Sequence, residues 1–99
     1  MNFKTINPYT SKVIHEYEYH SLQIAQEKIL KLKMQQKVWS TLSYAERSRY
    51  ILIVAQRLDE NKEVLARLMS VEMGKPITQA RLEIEKCANG LRSFCELTQ

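Results

Sequence analysis

The sequence predicts a mainly helical fold, an N-terminal β-hairpin followed by four amphipathic helices. Three observations point to it. Only two Gly and two Pro interrupt 99 residues of which 44% are hydrophobic, which excludes disorder, a loop-rich disulfide scaffold and collagen-like repeats. From Leu22 onward, apolar residues recur at helical spacing. Ser43-Tyr44-Ala45-Glu46 and Glu72-Met73-Gly74-Lys75-Pro76 then punctuate that pattern as a start and as a stop, turn and start. At 11.7 kDa the chain is one domain at most, with a radius of gyration of about 13 Å if compact.

Phe3 to Ile6 and Val13 to Tyr17 are runs of β-branched and aromatic residues, separated by Asn7-Pro8-Tyr9-Thr10-Ser11-Lys12, and read as a hairpin. With a period of two, Val13, His15, Tyr17 and Tyr19 share the face with a claim to burial, against Ile14, Glu16 and Glu18. Ser21 is positioned as the N-cap of a first helix over about Leu22 to Lys37, with Leu22, Ala25, Ile29 and Leu32 on one face. Trp39 closes that helix and is large enough to pin it against the next.

Ser43 and Glu46 form a capping box, so the second helix begins at Tyr44, with an apolar stripe of Ile51, Val54, Ala55 and Leu58. Asn61 is placed to cap a third helix with an inner face of Val64, Leu65, Leu68 and Met69, and Gly74 supplies the left-handed residue that ends it. Pro76 suits the first turn of the fourth helix, where its missing amide hydrogen is not needed. That helix carries Ala80, Ile84, Cys87, Leu91 and Phe94 or Cys95 on one face and runs to Gln99 without a stop signal, as expected of a piece of something larger. Gly90 in its middle costs about 1 kcal/mol relative to Ala and predicts a close backbone approach or a bend.

The net charge of +4 comes from 15 basic and 11 acidic residues interleaved along the helices. Lys28, Lys31, Lys33 and Lys37 are the nearest thing to a basic stripe, and their spacing fits a solvated helix face, so no nucleic-acid partner is expected. No run approaches the ~18 apolar residues of a membrane span. Met1-Asn2-Phe3-Lys4 does not open a signal peptide. Cys87 and Cys95 lie ~12 Å apart along one helix, too far for a disulfide, which predicts reduced thiols and a cytoplasmic setting.

Chemically the sequence is quiet. Cys87 and Cys95 fall on an apolar stripe without a base beside them, so packing is the expected role of both. His15 and His20 complete no metal-ligand spacing. Glu83 and Glu85 point to different sides of a helix and do not converge as acid and base; Glu83 is expected to pair with Lys86 or Arg92. Gly74-Lys75 lacks the second glycine of a phosphate loop, and no Gly-x-Gly-x-x-Gly occurs. Phe3, Tyr9, Tyr17, Tyr19, Trp39, Tyr44, Tyr50 and Phe94 are dispersed and read as helix and core contacts. No catalytic, cofactor-binding or metal residue is assigned.

In order and spacing, Asn7-Pro8 with Thr10 and Val13, Trp39, Ala45-Glu46-Arg47 and Glu72-Met73-Gly74-Lys75-Pro76 resemble the N-terminal segment of the aldehyde dehydrogenase superfamily. Ile77-Thr78-Gln79-Ala80-Arg81-Leu82-Glu83-Ile84 is most similar to the succinate-semialdehyde dehydrogenase branch, as is Met73 before Gly74. The resemblance implies a part of an α/β enzyme that oxidises an aldehyde to a carboxylate with NAD or NADP. In that family a cysteine attacks the aldehyde, hydride passes to the nicotinamide and a glutamate activates water. Those groups and the main Rossmann segments lie C-terminal to the stretch matched here, so residues 1–99 are expected to be a helical layer on the cofactor domain, inactive and without cofactor by itself. The partners implied are the remainder of the parent enzyme and its sister subunits. Helix faces meant for them are expected to drive self-association of the isolated chain. The alternative is an autonomous small helical protein-binding module that shares only the helix order.

Overall fold

In the computed structural model, residues 1–98 are described. The order is β1 (Asn2–Ile6), β2 (Val13–Glu18), α1 (Leu22–Trp39), α2 (Tyr44–Glu60), α3 (Lys62–Met73) and α4 (Ile77–Leu97). The predicted hairpin and four helices are therefore all present, with boundaries within two residues. The shape is flat and open: the radius of gyration is 17.6 Å and the extents are 47 × 39 × 17 Å, against about 13 Å for a compact chain of this length.

β1 and β2 pair antiparallel, Phe3 opposite Tyr17 and Thr5 opposite His15. Between Thr5 and Ile6 the register shifts, so Ile6 faces Val13 and Ile14 is the extra residue of a bulge. This corrects the face assignment. Val13 leaves the side of His15 and Tyr17 for that of Ile6, and on β2 only Ile14 is partly covered. The supposedly buried face is instead an open aromatic one, with Phe3 5.2 Å from Tyr17 and 5.1 Å from Tyr19, and His15 4.8 Å from Tyr17 between ring centroids.

Ser21 caps α1 as expected, its hydroxyl accepting from the Ile24 amide at 3.2 Å. No residue of α1 is buried. Leu22, Ile29 and Leu32 all stay exposed, and Trp39, 5.5 Å from Tyr50, is what ties the end of the helix to α2. The capping box of α2 is complete: the Ser43 hydroxyl accepts from the Glu46 amide at 3.2 Å while the Ser43 amide donates to Glu46 at 2.7 Å.

α4 is the element on which α2 and α3 both pack. Apart from Ile84 the buried residues are small: Ser48 and Ala55 on α2, Ala66 on α3, and Ala80, Ala88 and Cys95 beside Ile84 on α4. Side chains of that size let helix axes come within the usual 8–10 Å. On α2 the covered stripe is Ser48, Ile51, Ala55 and Leu58, and Val54 faces out. On α3, Leu65, Ala66 and Met69 turn inward, whereas Val64 and Leu68 are exposed, contrary to expectation. α4 carries Cys95 inside but leaves Phe94 and Cys87 exposed, so Cys87 is not a packing residue here.

Three terminal assignments also change. The Asn61 side chain does not cap α3; its amide donates back to the Arg57 carbonyl at 2.8 Å and closes α2 instead. Pro76 sits one residue before the first turn of α4, at φ −55 and ψ 136, where its extended ψ is the one an N-cap needs. α4 ends at Leu97, with Thr98 at its C-cap and the Thr98 hydroxyl donating to the Cys95 carbonyl at 3.0 Å. The expected continuation to Gln99 lies outside the described residues. Gly74 does end α3 in the left-handed conformation, at φ 73. Around Gly90 no atom of the chain stands within 4 Å of where a Cβ would be, so the close approach expected there is not made within this chain.

Candidate functional surface

Two sequence motifs meet at one joint. Asn7 shapes the hairpin loop: its carboxamide oxygen accepts from the amides of Tyr9 at 2.9 Å and Thr10 at 3.2 Å, and its carbonyl accepts from the Ser11 amide at 2.8 Å. These bonds hold Ser11 at φ 58 and set Pro8 outward against the α3–α4 turn. A Cβ on Gly74 would lie 3.1 Å from Pro8 Cγ. Gly74 is thus required twice, for its positive φ and for the room it leaves Pro8.

Ion pairs lace the outside of the same corner. Arg81 makes a two-pronged contact with Glu63, Nε to Oε1 at 2.8 Å and NH2 to Oε2 at 3.1 Å, and this holds the Glu63 carboxyl below the ordinary glutamate range. Lys62 donates to Glu85 at 2.9 Å, which raises the lysine above its ordinary value. Glu83 pairs with Lys75, not with the expected Lys86 or Arg92; Arg92 reaches Asp59 on α2. Lys75 folds back from the turn toward its own helix, a geometry that spacing along one helix does not reveal. Glu83 and Glu85 do diverge, each toward a lysine on a different side.

Cys87 borders an open groove of about 600 Å³ with Lys75, Gln79, Leu82, Glu83 and Lys86. No histidine or unpaired carboxylate adjoins the thiol to act as base. Cys95 is buried, its Sγ 3.8 Å from the Ser48 carbonyl, in donor geometry. His15 lies against Tyr17 with the rings tilted by 41°, and His20 contacts Lys28 at 2.7 Å, so the two rings serve different neighbours. Among the described residues no cluster of His, Cys, Asp and Glu fits a metal ion, and no helix is long and apolar enough to cross a membrane.

What remains is surface, and it is apolar on every element. Phe3 and Tyr17, Ile29 and Leu32, Leu52 and Ile53, Val64 and Leu68, Leu82 and Phe94 are all exposed. Each of α2 to α4 thus carries an inner stripe and a second, open stripe of apolar residues. The aldehyde dehydrogenase family model matches residues 1–99. The chain belongs to this family.

A probable NADP-dependent succinate-semialdehyde dehydrogenase of Synechocystis is 33% identical over 97% of the chain and 21% of its own length. Among solved structures, a glyceraldehyde-3-phosphate dehydrogenase of Methanocaldococcus jannaschii, complexed with NADP, superposes with a TM-score of 0.81 at 32% identity, over 89% of this chain and 19% of that one. An NAD-dependent benzaldehyde dehydrogenase of Corynebacterium glutamicum gives 0.90 at 28% identity, over 99% and 21%. The chain spans about a fifth of the length of the curated relatives it matches. The hairpin and four helices are therefore a part of the aldehyde dehydrogenase fold. The contact between Pro8 and Gly74 joins two of the motifs on which the family resemblance rests, at a sequence separation that no local pattern could signal.

Proposed function

We propose that this chain is the N-terminal helical layer of an NAD- or NADP-dependent aldehyde dehydrogenase, packing on the cofactor domain and supporting subunit assembly, while other segments carry the reacting groups. The observation behind this reading is the second, unpartnered apolar stripe on each of α2, α3 and α4, together with an α1 that buries nothing. A surface of that kind is stable in water only when covered. The substrate we favour is succinate semialdehyde, from the resemblance of Ile77 to Ile84 and from the likeness to the probable succinate-semialdehyde dehydrogenase of Synechocystis. Two cysteines without a disulfide suit a reducing, cytoplasmic setting.

The test takes the purified 99-residue chain and the complete subunit read onward from the codon for Gln99. The expected result is reduction of NAD or NADP with succinate semialdehyde by the complete subunit alone, and self-association of the isolated chain in light scattering. Turnover by the isolated chain, or a stable monomer at high concentration, defeats the proposal; a monomer that captures another protein through these faces favours the autonomous binding module.

A further inference from the structure

The groove along the outer side of α4 differs in charge from other depressions of the described surface. Lys75, Gln79, Glu83 and Lys86 border its volume of about 600 Å³, with Leu82 and Cys87 between them. Four other grooves carry one cationic side chain or none. Gln79, Glu83 and Lys86 follow one another at steps of four and three, so their heads emerge along one row of the helix. Lys75 reaches that row from the α3–α4 turn and pairs with Glu83. The pair cancels the one negative charge of the groove. Lys86, which enters no ion pair among the described residues, leaves it cationic.

An apolar segment is a poor cover for such a groove. The Lys75 and Glu83 side chains are 34% and 42% exposed, and a hydrocarbon lid would strip water from them and from Lys86 without replacing it. The groove over Val64 and Leu68 on α3 is the opposite case, walled mainly by apolar side chains. A wet, cationic groove suits a small anion. The Lys86 ammonium brings three donors and the Gln79 carboxamide adds neutral ones, while the Lys75–Glu83 pair removes the repulsion that a free Glu83 would exert. Succinate semialdehyde carries the matching group, a carboxylate at the end remote from its aldehyde.

We propose that Lys86, aided by Gln79, is a specificity-determining residue of the dehydrogenase, holding in this groove the carboxylate of a short aldehyde that bears one at its far end. Lys75 is a positioning residue, which acts by neutralising Glu83. This rests on the reading of the chain as part of a dehydrogenase whose substrate carries a carboxylate, with the reacting groups on other segments.

The experiment measures kcat/KM of the complete subunit for succinate semialdehyde and for butanal, an uncharged aldehyde of equal chain length. Lys86→Gln, Lys86→Arg and Lys75→Met are compared with the wild type, which is expected to prefer the acid. K86Q should lower the ratio of the two values by about tenfold to a hundredfold, the loss of a hydrogen bond to a charged group, and chiefly through KM. K86R should restore most of it. K75M should lower the ratio as well, because the exposed Glu83 charge repels the carboxylate, and adding Glu83→Gln should reverse that loss. Salt should shrink the preference of the wild type more than that of K86Q. Equal losses on both aldehydes in K86Q overturn the assignment, since they mark a packing role. A wild-type preference that survives in K86Q overturns it too and leaves the substrate reading intact. A wild type that oxidises butanal without preferring succinate semialdehyde defeats the substrate reading, and the ligand of the groove with it.

Discussion

The three-helix corner of α2, α3 and α4 contrasts with the limb made of the hairpin and α1. Both are well formed locally, yet among the described residues every buried one belongs to the corner. In the limb, Ser21 caps its helix and Asn7 organises its loop, so backbone groups are satisfied without any burial. Local hydrogen bonds define a conformation, but isolated helices and two-stranded hairpins are marginal in water until an apolar face is covered. The corner is the part with a core of its own, and the limb keeps its apolar residues exposed.

Truncation at equivalent isoleucines should break the symmetry between the two regions most strongly. Ile84→Ala, in the buried seam of α4, should cost the isolated chain about 2–4 kcal/mol in chemical denaturation, while Ile29→Ala on α1 stays within about 0.5 kcal/mol. Equal effects would mean that the limb has found cover, for instance in a self-associated form. The joint between the regions is next. Gly74→Ala should cost about 1–2 kcal/mol for the left-handed backbone alone, and more because its methyl meets Pro8. A Pro8→Ala background that relieves only the second part would separate strain from contact by a double-mutant cycle.

The smallest effect concerns the start of α2. Ser43→Ala should lower stability by about 1 kcal/mol. The Ser43 amide, then its hydroxyl, holds the Glu46 carboxyl below its ordinary value. Its folded pKa is depressed, so its contribution is present above the ordinary glutamate pKa of about 4.3 and is lost as pH falls through the lower folded value. Glu63, held down by Arg81, acts in the same sense. Lys62, raised by Glu85, works at the other limb: its contribution is present below the ordinary lysine pKa of about 10.4 and is lost as pH rises through the folded one. Denaturation midpoints across an acid titration should show a shallower acid limb in Glu46→Gln than in the wild type, with a smaller change in S43A, which keeps the amide that donates to Glu46. An unchanged limb would assign the acid sensitivity to Glu63 and the corner.

Element order and most boundaries were legible in the sequence because they depend on near neighbours. The capping box, Ser21 and Gly74 act through bonds spanning a few residues, and the structure keeps all three. Where the signals failed, a competing local bond or a distant element decided. Asn61 preferred the carbonyl of Arg57 behind it to the amides ahead, and one inserted residue at Ile14 moved Val13 to the other face. For the candidate surface, the family resemblance carried what could be read. The sequence had no way to show that Pro8 rests on Gly74 or that Lys75 turns back to Glu83.

The sequence by itself determined a hairpin, four helices and their joints, since periodicity and capping are properties of short stretches. Tertiary structure decided which face of each helix is inside. α2 and α3 each carry apolar residues on two sides, and a period of 3.6 does not rank them. The covered stripes combine small residues with larger ones, Ser48 and Ala55 with Ile51 and Leu58, and Ala66 with Leu65 and Met69, and the small ones let the backbones close on Ala80 and Ala88. Val54, Val64 and Leu68, which the pattern also put inside, lie on the surface.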